Sequence, residues 1–313
     1  MRLFSIPMRE RFRGVERRVG ALIEGPCGWG EFSPFPEYPP ETCARWLAAA
    51  REAATRPWPR PVRDRIPVNV TVPAVGPEQA WAIVAASTCA TAKVKVAEPG
   101  QGIADDLARV EAVRDALGPR GRIRVDANGA WDPDDAVSAI RQLDRYGLEY
   151  VEQPCRTLEE MARVRLRVDV PLAADESVRT AEDPLHVANL DAADLVVLKV
   201  QPLGGVWAAM EVAEAAKLPV VVSSAVETSI GIAAGIAFAA ALPELPFACG
   251  LATVALLEGD VVADPLLPVD GVIAVRRPTV DPEALGRYEL VGAEAGRVLD
   301  RMAAADRLSW PGM

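Results

Sequence analysis

The chain has 313 residues, half of them apolar and a quarter charged, enough material for about two domains or for one barrel with an accessory part. Lys and Arg total 34 against 44 Asp and Glu, a net charge of −10, and an acidic surface repels phosphate backbones and anionic lipid, so no nucleic acid and no membrane surface is expected as partner. The single histidine, His186, excludes the common Ser-His-Asp hydrolases and multi-histidine zinc sites.

Taken in chain order, MRLFSIPMRERFRG lacks the apolar run of a secretory signal. GVERRVGALIEGPCGWGEFSPF holds two strand-like runs about a Gly-rich turn, which predicts a hairpin. ETCARWLAAAREAAT (41–55) predicts a helix, and residues 55–65 form a Pro/Arg connector. From about residue 66, short apolar runs alternate with amphipathic stretches. IPVNVTVPA (66–74) predicts a strand and 77–87 a helix; AKVKV (92–96) is a strand, followed by a helix over 105–118 with Leu107, Val110, Val113 and Leu117 on one face. RIRVDAN (122–128) is the next strand. Asp132-Pro133 is a cap with proline at the first helical position, opening a helix through Val137, Ile140 and Leu143. EYVEQP, PLAADE, DLVVLKV, PVVVSSAV and FACGLAT supply five more strands. The uncharged run 228–243 is shorter than the roughly 18 residues a membrane span needs and predicts a buried helix. Five cysteines lie far apart with no CxxC, which fits a reducing cytoplasm.

Eight strands with seven helical segments between them, at about 25–30 residues per unit, predict an α/β fold: a (β/α)7β TIM-like barrel with a small α+β capping domain. The expected division is a cap over 1–65, joined by the tail from about 260 to 313, and a barrel over 66–259 that carries the active site. Residues 8–14 and 35–41 are expected as loops over the barrel mouth, setting specificity without performing chemistry.

Catalytic groups in such a barrel gather at the C-terminal ends of the strands. Those ends read Lys93 and Lys95, then Asp126, Glu152, Asp175 and Lys199, the last four spaced by 26, 23 and 24 residues. A lone Asp at a strand end is more often a helix cap, and Asp105, Asp132 and Glu227 are read that way. Charge on five consecutive strand ends is not explained by caps. The chain carries only four lysines among its 34 basic residues, yet three of them fall on inward strand ends. Arginine stays protonated in a protein whereas lysine can be tuned to act as a base, so these lysines are candidates for proton transfer. Lys217, at a helix end, has no assigned role. Three carboxylates with no His or Cys among them suit Mg²⁺, or Mn²⁺, rather than zinc. Asn128, Gln153 and Glu176 flank the acids, either as partners to the ligands or as loop stabilisers. Arg124 shares the inward face of its strand with Asp126, where it either pairs with the carboxylates or serves the framework.

As a set, Lys93-Val-Lys95, the Asp126 of VDANGAW, the Glu152 of VEQP, the Asp175 of ADES and the Lys199 of LKVQPLGG resemble the enolase superfamily, and within it the muconate-lactonizing subgroup. The likeness covers nearly the whole chain, including GWGEFSPFPEYPPET. It implies a small-molecule carboxylate substrate, Mg²⁺ (with Mn²⁺ as alternative) on Asp126, Glu152 and Asp175, and Lys95 and Lys199 as the acid–base pair with Lys93 beside them. Ser223, Ser224 and Gly250 match positions that touch substrate. SSAVETSIG and CGLAT resemble segments of the succinylbenzoate-forming dehydratases, although residue 252 is Ala where those enzymes typically show Asp. N-acylamino-acid racemisation or dipeptide epimerisation on the same site is the alternative the resemblance implies. A Schiff-base aldolase using Lys199 and a non-catalytic binding protein are the rivals from other classes.

Overall fold

The computed structural model describes residues 1–12, 14–179 and 185–308. The expected hairpin is β2 (Val15–Gly25) and β3 (Gly28–Phe32), paired antiparallel, and a further strand, β1 (Arg2–Phe12), pairs with β2 to make three. The sequence reading missed β1 because Pro7 and the charged run after it argue against a strand. Both are tolerated because β1 is an edge strand, where a missing N–H breaks no ladder, and the pairing is irregular between Pro7 and Phe12. Phe4, Ile6 and Met8 alternate inward all the same.

The helix Pro40–Thr55 packs on this sheet. A Cβ on Gly30 would stand 1.9 Å from the Ala50 carbonyl oxygen, so only glycine lets β3 approach the helix so closely. The helix Ala293–Arg307 returns along it: Arg51 pairs with Asp306 at 2.6 Å, and Arg301 donates to the carbonyls of Pro34 and Tyr38 at 3.1 and 3.0 Å. Arg13 of the RFRG segment and residues 309–313 of the tail lie outside the described residues.

A short strand β4 (Arg65–Pro67) leads into the parallel sheet. Its strands are β5 (Val70–Val72), β6 (Thr91–Lys95), β7 (Arg122–Asp126), β8 (Leu148–Glu152), β9 (Leu172–Ala174), β10 (Leu195–Lys199) and β11 (Val220–Ser223), side by side in chain order. Val-rich strands buried on both faces are what a parallel sheet under helices requires. FACGLAT closes the round with residues 249–250. Cys249 donates to Pro67 O at 2.7 Å and accepts from Asn69 N at 3.0 Å, while Gly250 donates to Val222 O at 2.8 Å. The eighth stave is thus two bridging residues between the first and seventh. Helices separate the staves; the one over Ser229–Ala241 is buried along its whole length, as its apolar run predicts. Among the described residues no helix is long and apolar enough to cross a membrane. Beyond the barrel, β12 (Val272–Ala274) folds back to pair with β4.

Candidate active site

Register decides which side chains meet. In the parallel pairs Lys95 stands opposite Asp126, and Asp126 opposite Glu152; one step back, Thr71, Lys93, Arg124 and Tyr150 form the next row. Residues two apart on a strand share a face, so both rows point into the barrel. Lys199 ends β10 opposite Ser223 on β11, and Asp175 follows β9 directly. The six charged strand-end residues therefore surround one mouth, none more than 8% exposed.

Each acid is matched with a lysine. Lys93 Nζ donates to both oxygens of Glu152, at 3.0 and 3.2 Å, and lies 3.4 Å from Asp126 Oδ2. Lys95 Nζ donates to Asp126 Oδ2 at 2.5 Å and to Asn128 Oδ1 at 2.6 Å. Lys199 Nζ donates to Asp175 Oδ2. Among the described residues no three acid, histidine or cysteine side chains already stand together closely enough to hold a metal ion. Three buried carboxylates from successive strands are nonetheless the hard-oxygen donor set a divalent cation takes. Their crowding is visible in Glu152, whose carboxyl is pushed up to about 7 by burial and by Asp126, against the pull of Lys93.

The two lysines of β6 differ in character. Burial lowers Lys95 below the ordinary lysine value and outweighs the opposing pull of Asp126, with Lys93 adding repulsion. Burial works against Lys93 too, but Glu152 and Asp126 outweigh it and hold its ammonium firmly charged. Lys93 is a fixed cation, and Lys95 is the amine inclined to lose its proton.

The residues flanking the acids divide. Asn128 accepts from Lys95 and donates to Glu176 Oε1 at 3.1 Å, while its own N–H reaches Asp126 Oδ1, so it links the base to the next loop. Gln153 Oε1 accepts from the N–H groups of Asp175 and Ser177 and fixes the start of that loop. Of the two roles read for Arg124, the structure shows the framework one and not a pairing with the ligand carboxylates. It turns away from the mouth, donating to Glu149 Oε2 at 2.5 Å and Ala248 O at 2.6 Å, and lies 4.7 Å over the Tyr150 ring. The inward face is shared, but the long side chain serves the barrel floor.

Ser223, Ser224 and Gly250 line the same cavity as Lys93, Lys95, Asp126 and Lys199. Ser224 Oγ donates to Gly250 O at 2.7 Å and lies 2.8 Å from Thr253 Oγ1; a Cβ on Gly250 would stand 2.5 Å from Ser223 Oγ. Phe12 and Phe35, from the two segments expected over the mouth, complete the wall, with the Phe12 ring centroid 5.3 Å from Lys95 Nζ. Sequence reasoning missed Thr71, Val226 and Thr253 as lining residues, and Arg109. Arg109 is buried and donates to Lys95 O at 2.9 Å, bracing the end of β6. Its Asp106 partner one turn earlier is the signal that could have found it. Glu227 is a correction: Thr228 caps the following helix, and Glu227 is itself buried. A larger cavity of about 430 Å³ lies between β1, β5 and the helix Pro77–Ala85, and none of the six charged strand-end residues lines it.

Comparison with known proteins gives two family matches, the enolase C-terminal domain-like family over residues 77–284 and the enolase N-terminal domain-like family over residues 3–54. An o-succinylbenzoate synthase of Thermobifida fusca is 65% identical over 99% of this chain and 96% of its own length. One from Mycolicibacterium smegmatis is 52% identical over 98% and 95%. Among solved structures, a muconate lactonizing enzyme from Pseudomonas fluorescens superposes with a TM-score of 0.82 at 22% identity, covering 92% of this chain and 97% of that one. An L-Ala-D/L-Glu epimerase from Bacillus subtilis does so at 0.76 and 25%, covering 89% and 95%.

Proposed function

The chain belongs to the enolase superfamily, and from that premise we propose that it works as an o-succinylbenzoate synthase, a carbon–oxygen lyase of menaquinone biosynthesis that removes water from 2-succinyl-6-hydroxy-2,4-cyclohexadiene-1-carboxylate. The observation that carries this reading is identity of 65% over 99% of the chain to a synthase of that name, joined to a mouth furnished for proton removal beside a carboxylate. We take residues 1–65 with the tail as cap and 66–259 as barrel, and the cytoplasm as the working compartment, in keeping with five free cysteines.

Enzymes of this superfamily depend on a divalent metal, usually Mg²⁺. Asp126, Glu152 and Asp175 would hold it here, and when bound it supplies positive charge against the substrate carboxylate as that group gains a second negative charge. With Asp126 engaged as a ligand, Lys95 loses the anion that opposes its neutral form. Lys95 then takes the proton from the carbon next to the carboxylate, leaving an enediolate. Lys93 and Lys199 present cations to that anion. The new Lys95 ammonium gives its proton to the departing hydroxyl on the same face; the C–O bond breaks, water leaves, and the ring becomes aromatic. Ser223, Ser224 and Gly250 seat the substrate, with Phe12 and Phe35 as the wall that keeps bulk water out.

A second reading draws on Lys95 and Lys199 standing on different strands of one mouth: two bases on two faces would racemise an N-succinyl amino acid. One experiment separates the two. Purified protein with Mg²⁺ is given the cyclohexadiene acid, followed by the absorbance of the aromatic product, and in parallel an N-succinyl amino acid, followed by chiral analysis. Aromatic product, lost with EDTA and restored with Mg²⁺, is expected. Racemisation without dehydration would replace the first reading with the second.

A further inference from the structure

Arg18 is a buried arginine on β2 of the cap, 1% exposed, and it reaches across to the barrel. Its Nε donates to Val226 O at 2.9 Å, and its Nη2 donates to Ser33 O and, at 3.2 Å, to Ser33 Oγ. The guanidinium also lies 4.5 Å over the ring of Phe35. Phe35 and Val226 are neighbours of Lys95 and Lys199 in the wall of the catalytic cavity, one contributed by the cap and one by the barrel. A single cation thus grips both halves of that wall without lining the cavity itself.

The barrel half needs gripping. Val226 has φ +62°, a left-handed conformation that a β-branched residue keeps only when its surroundings hold it there. The loop that carries it is pinned on both sides. Glu227 Oε2 accepts from Ala225 N at 2.8 Å. Glu31, on β3 of the cap, accepts from Thr228 N at 3.1 Å, from Gly231 N at 3.0 Å, from Thr228 Oγ1, and from Ser33 Oγ at 2.6 Å. A carboxylate at the first turn of the helix Ser229–Ala241 is favoured by the N–H groups unsatisfied there. Between these two anchors, among the described residues, only the Arg18 bond holds the Val226 carbonyl in this network, and the planar fork of arginine makes that bond and the Ser33 bonds together, a geometry the lysine ammonium does not reproduce.

We propose that Arg18 is a positioning residue for the reaction: through the Val226 carbonyl and the Phe35 ring it sets the cap wall and the barrel wall of the mouth against the substrate. The proposal rests on reading this mouth as the catalytic site. It is tested with Arg18→Lys, Val226→Gly and the double variant. Hydrogen exchange is measured over residues 223–231, and kcat and KM on whichever of the two substrates above the wild type turns over. Arg18→Lys is expected to fold, to bind Mg²⁺ as the wild type does, to exchange faster over 223–231, and to lose about tenfold or more in kcat/KM, chiefly through KM. Val226→Gly keeps the guanidinium and suits φ +62°, so it folds whatever becomes of Arg18→Lys, and is expected to raise KM severalfold. In the double variant the loss should fall short of the product of the single losses, because both changes loosen the same loop. Unchanged exchange and kcat/KM in Arg18→Lys would overturn the proposal, as would an unchanged KM in Val226→Gly or losses that multiply. A merely structural arginine would lower the melting temperature and leave kcat/KM of the folded protein alone. A wild type that forms no aromatic product contradicts the proposed reaction instead, and the exchange comparison then decides the role of Arg18 by itself.

Discussion

Lys93 and Lys95 are two residues apart on one strand, equally buried, and opposite in character. The difference lies in what each faces. Lys93 sits between two carboxylates and keeps its charge; Lys95 has Asp126 and the neutral oxygen of Asn128, with Lys93 repelling it. The three acids are each worth one negative charge to a cation. Asp126→Asn, Glu152→Gln and Asp175→Asn should therefore each weaken Mg²⁺ binding by at least about tenfold, the lower end of what even partners outside the ligand set cost. Calorimetry showing wild-type affinity in all three would remove the ligand assignment. These six residues were legible in the sequence because charge at the end of an apolar strand is costly and periodic, and so stands out. Arg124 shows the limit of that logic. Its place on the inward face was readable, but the direction of a long side chain depends on Glu149 and Ala248 O, which no spacing reveals. Arg18 was less legible still, because its Val226 partner lies on the other side of the cap–barrel seam.

At the scale of elements, the helices were read from their ends and the strands from their interiors, and the failures follow from that. Asp132 accepts from the N–H groups of Asp134 and Asp135, both at 2.9 Å, as its position before Pro133 predicts. Asp132→Ala should cost about 1 kcal/mol of stability, seen in a denaturant titration, with kcat unchanged. β1 was missed because an edge strand tolerates the proline that a central strand would not. The eighth stave was read at full length and consists of two bridging residues, since the chain there turns at once into the short 3-10 helix Thr253–Leu256. The end of β1 brings Phe12 against Lys95, so the missed element supplies part of the mouth. Phe12→Ala should raise KM severalfold and leave Mg²⁺ affinity untouched. A parallel fall in metal affinity would mean that the segment supports the acids rather than the substrate.

For the molecule as a whole, the barrel supplies charge and the cap supplies enclosure. Five successive strands of the seven carry the acids and lysines to one end, and the cap sheet, clasped by Arg18 and Glu31, brings two aromatic side chains over them. The barrel was legible because βα alternation is a local pattern repeated seven times. The seam was not, because it joins residues about 200 positions apart in sequence, such as Glu31 and Thr228. The central claim is that within this enclosure one lysine, Lys95, moves the proton while Lys93 and Lys199 hold charge. The most direct measurement is kcat for Lys95→Arg beside Lys199→Arg. Arginine keeps the charge and nearly the reach of lysine but supplies no neutral nitrogen at working pH. Lys95→Arg should lose at least about 10²-fold in kcat, the low end for a positioned acid–base group, with fold and Mg²⁺ affinity retained and Lys199→Arg affected less. A Lys95→Arg enzyme that keeps more than about a tenth of wild-type kcat, where loss of the base predicts at least 10²-fold, would contradict it.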